Sequence, residues 1–287
     1  MRARLLGGLE LVADVGRGWA EVLLEQVIYV HSQSETARSY RNLTRREDRF
    51  QVVGSVDKEE CRRFGFYLND ISETELQLAH QVLGNGQFLG SHITNVRGAA
   101  LQSKLSKHRR GEPVISGRSL KRYYFSELAG YYDQGDVPEK ARIRAGNILI
   151  QNIVTQRHLV AQLVDEAHKD HLILDSVNQI QVISDSISSH FVLALLNSKL
   201  VNWFVYYFVF AQATLTMHFD NPITDRIPVP DYQRQSALVA SIEAEVKKIY
   251  ANRHANERSS QERIDQYIYQ LYGLSADQIA LVEANMP

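Results

Sequence analysis

The N-terminal part of the chain contains two hydrophobic runs of strand length. Residues 9–13 and 27–31 are separated by the glycine-containing stretch 16–18, and this pattern predicts a pair of strands. Residues 27–30 (Val-Ile-Tyr-Val) are apolar at every position, which is typical of a central strand buried on both faces. A small independent hairpin is the alternative interpretation.

The middle of the chain mixes helical and strand patterns in irregular order. Ser72 and Glu75 have the spacing of a capping box and predict a helix that ends at Gly84. Three strand-like runs follow, at 147–154, 158–164 and 177–183. This order favours an α+β domain over a regular βαβ array.

The most apolar window of the chain spans residues 191–210, the length of a membrane span. Asn197 and Lys199 lie near its centre, and a lysine in that position is unfavourable in hydrocarbon. The window therefore predicts a buried helix, capped by Ser188 or Ser189, and no membrane anchor.

Residues 231–287 are expected to be helical. Apolar residues recur there at spacings of three and four and form one narrow seam, which consists of Val239, Ile242, Val246 and Ile249. Such a seam packs either on its own protein or on another subunit. In the second case these residues would be the surface through which the helix docks onto that subunit. Ser275 and Gln278 have capping-box spacing and predict a last helix.

Composition limits the class of protein. The chain has 287 residues, a formal net charge of −1 and one cysteine, Cys61. A single cysteine excludes an internal disulfide and fits the reducing cytoplasm. The N-terminus carries no pattern of a signal peptide.

The positive charge of this nearly neutral chain is concentrated in residues 97–124, which we call the cationic segment. It holds eight lysines and arginines against one acid, Glu112, a local charge of +7. Such a cluster is typical of a surface that binds nucleic-acid phosphates. A solvated loop that keeps the protein soluble is the alternative. A second basic stretch, 38–49, is diluted by acids and is interpreted as a linker.

Four motifs resemble one bacterial family. Residues 113–115 and 117–123 (PVI, then GRSLKRY) resemble an element of the TaqI-like target-recognition domains of adenine-specific DNA methyltransferases and type IIG restriction–modification enzymes. Residues 196–200 (LNSKL), 227–230 (IPVP) and 271–274 (LYGL) resemble further family motifs in the same order. The long helix predicted after 227–230 is also similar to the spacer helix of type I specificity subunits.

The resemblance implies an α+β, mixed-sheet target-recognition domain with three regions. Residues 1–34 would be terminal strands like those that end a methyltransferase sheet, 35–230 the DNA target-recognition domain, and 231–287 a helical segment. The expected partners are double-stranded DNA and a methyltransferase catalytic domain or subunit. S-adenosylmethionine would bind in that catalytic part, and this chain would hold no cofactor.

Candidate DNA-contacting residues follow from the charge cluster and the resemblance together. Cations hold phosphates, whereas arginine reads guanine and the amides of Asn and Gln read adenine. The predicted phosphate contacts are Arg97, Lys104, Lys107, Arg109, Arg110, Lys121 and Arg122. The candidates for base readout are Arg118, Tyr123, Gln151, Asn152, Gln156 and Arg157, any of which is alternatively a surface or packing residue.

The sequence lacks the motifs of methyl transfer. Methylation of a flipped adenine needs an Asn-Pro-Pro-aromatic type of loop, and residues 221–224 (Asn-Pro-Ile-Thr) lack the second proline and the aromatic. The stretch 16–18 is only G-x-G, without a supporting βαβ unit upstream. We therefore expect no catalysis by this chain alone.

Two other chemistries are considered and set aside. Asp231, Glu245 and Lys247 match the letters of a PD…ExK nuclease, but the predicted helix points Glu245 and Lys247 to different sides. His168 and His171 lack a third metal ligand nearby, and a solvated loop is favoured. Two alternatives to DNA recognition stay open: a protein-interaction scaffold, and an enzyme of unrecognised type using the region of His168.

Overall fold

The chain divides into two units. The computed structural model describes residues 5–19, 21, 25–34, 37–84, 87–154, 157–213, 217–252 and 257–286. Unit 1 comprises Met1–Gln81 and Tyr206–Leu215, and unit 2 comprises Val82–Val205 and Thr216–Pro287. The boundaries expected at residues 34 and 230 fall inside unit 1 and unit 2, respectively.

Unit 1 is built on a four-stranded sheet. Its strands are β1 (Leu9–Gly16), β2 (Gln26–His31), β3 (Ser39–Arg46) and β4 (Arg49–Asp57), in the order β2-β1-β3-β4. β1 is antiparallel to β2 and parallel to β3, and β3 is antiparallel to β4. The predicted pair of strands is confirmed.

The predicted burial of the second strand is wrong. β2 lies at the edge of the sheet, and its four central residues, Val27, Ile28, Tyr29 and Val30, are 45–53% exposed. The reason is topological: β1 pairs with β3 on its other side, so β1 takes the internal position and β2 is left with one neighbour.

Two helices complete the N-terminal stretch. Helix α1 (Lys58–Phe64) begins at Asp57, whose carboxylate accepts from the Glu59 amide, and ends at Gly65 in a left-handed conformation. Helix α2 (Glu73–Leu83) begins at the predicted capping box, in which the Ser72 amide donates to Glu75 over 2.7 Å and the Glu75 amide donates to Ser72 Oγ. That prediction is confirmed.

The second stretch of unit 1, 206–215, contacts the first one directly. The rings of Phe64 and Phe208 lie 4.8 Å apart between centroids. The Gln212 side-chain amide donates to the carbonyl oxygens of Asn69 and Asp70, over 2.9 and 3.2 Å. Unit 1 is therefore assembled from two separated parts of the sequence.

Unit 2 contains several small sheets. In chain order its strands are β5 (Ile93–Arg97), β6 (Glu112–Ile115), β7 (Leu120–Lys121), β8 (Tyr124–Phe125), β9 (Gly130–Tyr132), β10 (Ile148–Gln151), β11 (Ile153–Val154), β12 (Ala161–Leu163), β13 (Leu172–Ile173), β14 (Val177–Val182) and β15 (Met217–His218). The largest sheet is antiparallel, with the order β12-β10-β14-β5. A mixed sheet has the order β13-β6-β9. The α+β, mixed-sheet prediction and the three strand-like runs are confirmed.

The mixed sheet separates two hydrophobic clusters. Because successive residues of a strand point to opposite faces, Val114 and Leu172 pack in one cluster, and Ile115 and Ile173 pack in the other. All four residues are at most 1% exposed. β6, which leads directly into the 117–123 motif, is therefore fixed on both faces.

The apolar window forms two short helices, α3 (Ser189–Asn197) and α4 (Lys199–Phe204), followed by a π-helical turn (Val205–Val209). Ser188 caps α3 as predicted, and residues 191–197 are buried. The side chain of Asn197 is satisfied in this core because it exchanges two hydrogen bonds with the backbone of Ala161.

No single helix in the described ranges is long and apolar enough to cross a membrane. Helix α3 and residues 199–209 reach that length and composition only as a pair, with a 58° bend between them.

The C-terminal helices are α5 (Asn221–Thr224), α6 (Ser236–Ala251), α7 (Glu257–Leu271) and α8 (Ala276–Asn285). Of the two alternatives for the seam on α6, the structure shows packing on its own chain and not an exposed docking surface. Ile242, Val246 and Ile249 are fully buried and Val239 is partly buried, because α6 packs against α3 and α7 of its own chain. The capping box of α8, formed by Ser275 and Gln278, is confirmed.

Candidate nucleic-acid interface

A short 3-10 turn, Gly117–Ser119, displays Arg118 at the surface. Ser116 and Ser119 form a capping box around it. The Gly117 amide donates to Ser176 Oγ over 2.9 Å, and a Cβ atom on Gly117 would lie 2.7 Å from the Ser176 carbonyl oxygen. Glycine is therefore needed where this turn meets the 175–176 turn that precedes β14.

The side chain of Gln151, at the end of β10, forms hydrogen bonds with the backbone of the same turn. Its side-chain amide donates to the carbonyl oxygens of Gly117 and Leu120, over 2.7 and 3.2 Å. Gln151 was predicted to read a base, whereas here its amide hydrogens are used to position the loop. In this structure Gln151 is a support for Arg118.

Arg97, at the end of β5, reaches the same place from a distant part of the sequence. Its Nε donates to the carbonyl oxygen of Asp175 over 2.7 Å, and the Gln102 side-chain amide donates to the Asp175 carboxylate. Gly98 makes this approach possible because a Cβ atom there would lie 2.3 Å from the Leu174 carbonyl oxygen. The fold thus brings Arg97 and Gly117, the residue before Arg118, into contact with the same turn.

A second group of cations lies on the loop before β6. Lys107, Arg109 and Arg110 are exposed, and Lys104 is exposed in the short 3-10 helix that precedes them. The loop is anchored by two backbone hydrogen bonds between Ser106 and Tyr131. It leads into β6, so its position is tied to the mixed sheet.

The cationic segment carries its charge unneutralised. None of its eight lysines and arginines forms an ion pair with a carboxylate of the described residues. By contrast, Arg38, Arg45 and Arg46 of the second basic stretch pair with Asp57, Asp48 and Asp70. A phosphate that approaches the cationic segment therefore has no ion pair among the described residues to displace.

Tyr123 does not have the exposure that base stacking requires. It is fully buried, its φ is +67°, and its hydroxyl donates to the Gln261 side chain of α7. Its ring also makes an edge contact with Tyr250. The predicted readout role is corrected to a packing role, and the adjacent Tyr124 is the exposed aromatic.

Arg122 is half-buried and belongs to a different environment from Arg118. Burial raises the pKa of the nearby Asp265 to about 6, while the charges of Arg122 and Lys199 oppose that rise. Burial lowers the pKa of His158, and Arg122 lowers it further. Arg122 thus faces a buried carboxyl group, and Lys121 beside it is exposed on β7.

Asn152 is fully buried and is also corrected to a structural role. Its side chain donates to Asn178 and Asp220 and hydrogen-bonds His218. This network joins three segments of unit 2.

Arg157 is an exposed turn residue with a positive φ of 63°. Gln156 lies outside the described residues.

A groove of about 330 Å³ that the sequence analysis did not predict lies on the largest sheet. It is lined by Thr94, Val96, Glu139, Lys140, Arg142, Arg144, Asn147, Gln179 and Gln181. Arg142 and Arg144 pair with Glu112 and Glu139 over 3.2 and 2.9 Å, so most of its charge is balanced. The alternation of Gln179 and Gln181 in a strand was the available signal.

No cluster of His, Cys, Asp or Glu in the described ranges has the geometry of a metal site. His168 Nδ1 hydrogen-bonds Asp165, and its ring packs against Phe125 and His171. Glu245 of the nuclease-like letters is buried on α6, where Arg263 and Lys248 contact it at 2.8 and 2.6 Å. The Glu245 carboxylate therefore forms ion pairs with a lysine of α6 and an arginine of α7.

Comparison with known proteins identifies part of the chain. Residues 112–229 match the TaqI-like C-terminal specificity domain. The matched segment contains Arg118, Gln151 and Asn152, whereas Arg97 and the loop with Lys107 precede it. No curated protein sequence matches this chain.

Three solved structures show a weak similarity to this chain. The HsdS subunit from Thermoanaerobacter tengcongensis has 13% identity and a TM-score of 0.37, with 70% of this chain and 51% of that chain covered. The type I S subunit from M. genitalium has 11% identity and a TM-score of 0.35, with coverages of 75% and 50%. The type IIG restriction endonuclease BpuSI has 10% identity and a TM-score of 0.43, with coverages of 94% and 44%. The chain spans about half the length of these structures.

Proposed function

We propose, from the membership of residues 112–229 in the TaqI-like specificity domains, that this chain recognises a DNA target for a restriction–modification system. It binds duplex DNA through the cationic segment and positions the target sequence for a catalytic domain that methylates adenine. That catalytic domain, with its S-adenosylmethionine, resides in another polypeptide or in a further part of a longer protein. The setting is the bacterial cytoplasm.

The observation that carries this proposal is a set of exposed cations without ion pairs. Arg97, which donates to the Asp175 carbonyl oxygen, and Arg118, next to the Gly117 that contacts Ser176, are both exposed and free of ion pairs with the described carboxylates. Lys107, Arg109 and Arg110 add exposed charge on a loop anchored to the same mixed-sheet region. Phosphate contacts position a protein on DNA, and base contacts then specify the sequence.

The scaffold alternative loses its main support in this structure. It rested on the α6 seam as a docking surface, and Ile242, Val246 and Ile249 are buried against the chain itself. The alternative of an unrecognised enzyme rested on the region of His168, which is packed against Phe125.

The test is the salt dependence of duplex binding. The logarithm of the binding constant should fall with the logarithm of salt concentration by about 0.9 for each phosphate contacted. Replacing Lys107, Arg109 and Arg110 by alanine should weaken binding to all sequences and reduce that slope by about 2 to 3.

The matched control removes three charges of unit 1, Arg38, Arg45 and Arg62, each of which is ion-paired with a neighbouring acid. This variant has the same net charge as the test variant and should retain the wild-type slope. Equal slopes in the two variants would refute the proposed interface, and absence of any salt-dependent duplex binding by the wild type would refute DNA recognition.

A further inference from the structure

The groove on the largest sheet has a row of polar side chains along its floor. The pairing of β5 with β14 places Thr94 opposite Gln181. β10 begins at Ile148, opposite Ile180 of β14, so the preceding Asn147 continues the row beyond Gln181. Residues opposite each other on neighbouring strands share a face and lie about 5 Å apart. The three polar side chains are therefore within reach of one small planar ligand.

The hydrogen-bonding groups of this row are unused. Among the residues that the structure describes, none of the three side chains has a hydrogen-bond partner. Asn147 is the most informative of them because it lines the groove and is only 8% exposed. Its backbone is fixed on both sides, since its amide donates to the Arg144 carbonyl oxygen and its carbonyl oxygen accepts from the Val164 amide. Buried polar side chains are normally hydrogen-bonded, so the unpaired amide of Asn147 points to a ligand in the groove.

The wall beside this row is also held in place. The Gln179 side chain accepts from the Arg144 amide over 2.9 Å and donates to the Arg142 carbonyl oxygen over 3.1 Å. The guanidinium groups of both arginines are ion-paired with acids. Lys140, on the same wall, is exposed and has no ion pair with a described carboxylate. The rim of the groove therefore carries one cation that is available to an anionic ligand.

These groups define the chemistry of the ligand. A carboxamide donates and accepts side by side, so Asn147 and Gln181 match the edge of a nucleobase, as Asn and Gln do with adenine. Phosphate has acceptors only, so it leaves the amide oxygens unsatisfied, but it is a strong partner for Lys140. A nucleotide carries both groups. The volume of about 330 Å³ is also within the range of small-molecule sites.

A base inside an intact duplex does not fit this site. Base edges lie about 8.5 Å deep in the major groove of DNA, where a projecting helix or β-ribbon reaches them. Asn147 lies on the floor of a concave site and does not project. We propose that the groove binds an unpaired nucleotide, with its base edge on the polar row and its phosphate on Lys140. The nucleotide is either free in solution or extruded from DNA, and only the second source rests on the proposed function.

The first test is isothermal titration calorimetry of the full chain with adenosine 5′-monophosphate (AMP). A free nucleotide should bind with a Kd below about 1 mM. Adenosine lacks the phosphate and ribose 5-phosphate lacks the base, so each should bind at least about tenfold more weakly than AMP. Equal affinities for AMP and ribose 5-phosphate would show that no base is recognised and would overturn the proposal.

Substitutions in the groove assign the two halves of the ligand. Lys140→Ala should weaken AMP binding about tenfold and leave adenosine binding unchanged, whereas Gln181→Ala should weaken both by about 2- to 10-fold. Asn147→Ala should act like Gln181→Ala, whose exposed position tests the row without disturbing the core. Lys169→Ala and Gln266→Ala are the matched controls, since they remove the same groups from exposed positions outside the groove. Groove variants that bind AMP as well as these controls do would overturn the proposal.

The second test distinguishes the two sources of the nucleotide. A duplex with one unpaired adenine is compared with the same duplex fully paired. If the nucleotide comes from DNA, the unpaired adenine should strengthen binding about tenfold, and Gln181→Ala should remove that gain. If it is free in solution, AMP should bind and the two duplexes should bind alike. Absence of both AMP binding and the gain from the unpaired adenine would overturn the proposal.

The outcome for the groove is separable from that for DNA recognition. The alanine variant of Lys107, Arg109 and Arg110 should retain AMP binding, because none of these residues lines the groove. A wild-type chain that binds AMP but shows no salt-dependent binding of duplex DNA would refute DNA recognition and support the groove as a site for free nucleotides.

Discussion

The side-chain nitrogen of Gln151 lies 2.7 Å from the carbonyl oxygen of Gly117, and this hydrogen bond ties a sheet strand to the turn that displays Arg118. The same nitrogen lies 3.2 Å from the Leu120 carbonyl oxygen. A surface side chain that is held in place before a ligand arrives loses less freedom on binding, which favours affinity. Gln151 supplies that support from a partly buried position.

Replacing Gln151 by alanine should destabilise unit 2 by about 1–2 kcal/mol, because two carbonyl oxygens lose their donor. Urea denaturation checks this value. The control is Gln181→Ala, an exposed glutamine of β14, which should change the free energy of unfolding by less than about 0.5 kcal/mol. Equal stability of the two variants would contradict the supporting role.

Replacing Gly117 by alanine should destabilise the fold by about 1–3 kcal/mol, because the added methyl group would meet the Ser176 carbonyl oxygen. Gly54→Ala on β4 is the matched control. No atom lies within 4 Å of the methyl group that it would add, so it should be neutral or slightly stabilising. Thermal unfolding of both variants distinguishes a crowded site from a general intolerance of alanine.

Arg118→Ala should relax the preference for one base pair by about 1–3 kcal/mol if Arg118 reads a base edge. Binding to a panel of duplexes, each changed at one position of the target, measures this effect. Lys121→Ala, which removes an exposed cation three residues away, should instead weaken binding to every duplex alike. A uniform loss for Arg118→Ala would identify it as a phosphate contact.

The carboxylate of Glu245 should contribute to stability in a pH-dependent way. Burial alone would raise its pKa, but hydrogen bonds from Arg263, Lys248 and Ser260 outweigh burial and lower the pKa to about 2. Because the pKa is lower in the folded state than its ordinary value of 4.5, this contribution is complete above that value. It is lost as the pH falls from there towards 2.

Glu245→Gln should therefore cost about 1–2 kcal/mol at pH 7 and progressively less between pH 4.5 and 2. Denaturant unfolding across this range is the measurement. The control is Glu262→Gln on α7, whose ion pair with Arg258 is exposed and should matter little at any pH. If the loss of unfolding free energy in Glu245→Gln does not change with pH, the packing of the side chain and not its charge explains the effect.

The features that sequence patterns predicted correctly depend on neighbouring residues. The capping boxes at Ser72 and Ser275 and the cap at Ser188 form within one helical turn, so the sequence contains all of their partners. The strand runs and the α+β class follow from local periodicity in the same way. The charge excess of residues 97–124 is likewise visible without any structure.

The wrong predictions depend on distant partners. Tyr123 lies in a cationic motif, but its burial is decided by Gln261 and Tyr250 of the C-terminal helices. Asn152 is similarly engaged by Asn178 and Asp220. The phosphate contact predicted for Arg97 stays a prediction, but its position beside the 175–176 turn also depends on a distant partner, because β5 pairs with β14.

Unit 1 is assembled from two separate stretches of the sequence, and this limits which recombination events preserve its contacts. Residues 206–215 are encoded within the part of the gene that specifies unit 2, yet Phe208 and Gln212 contact Phe64, Asn69 and Asp70 of unit 1. A crossover near residue 81 that exchanges everything downstream would import a foreign 206–215 stretch. An exchange of unit 2 is therefore tolerated most easily when this short stretch stays matched to the N-terminal sequence that it contacts.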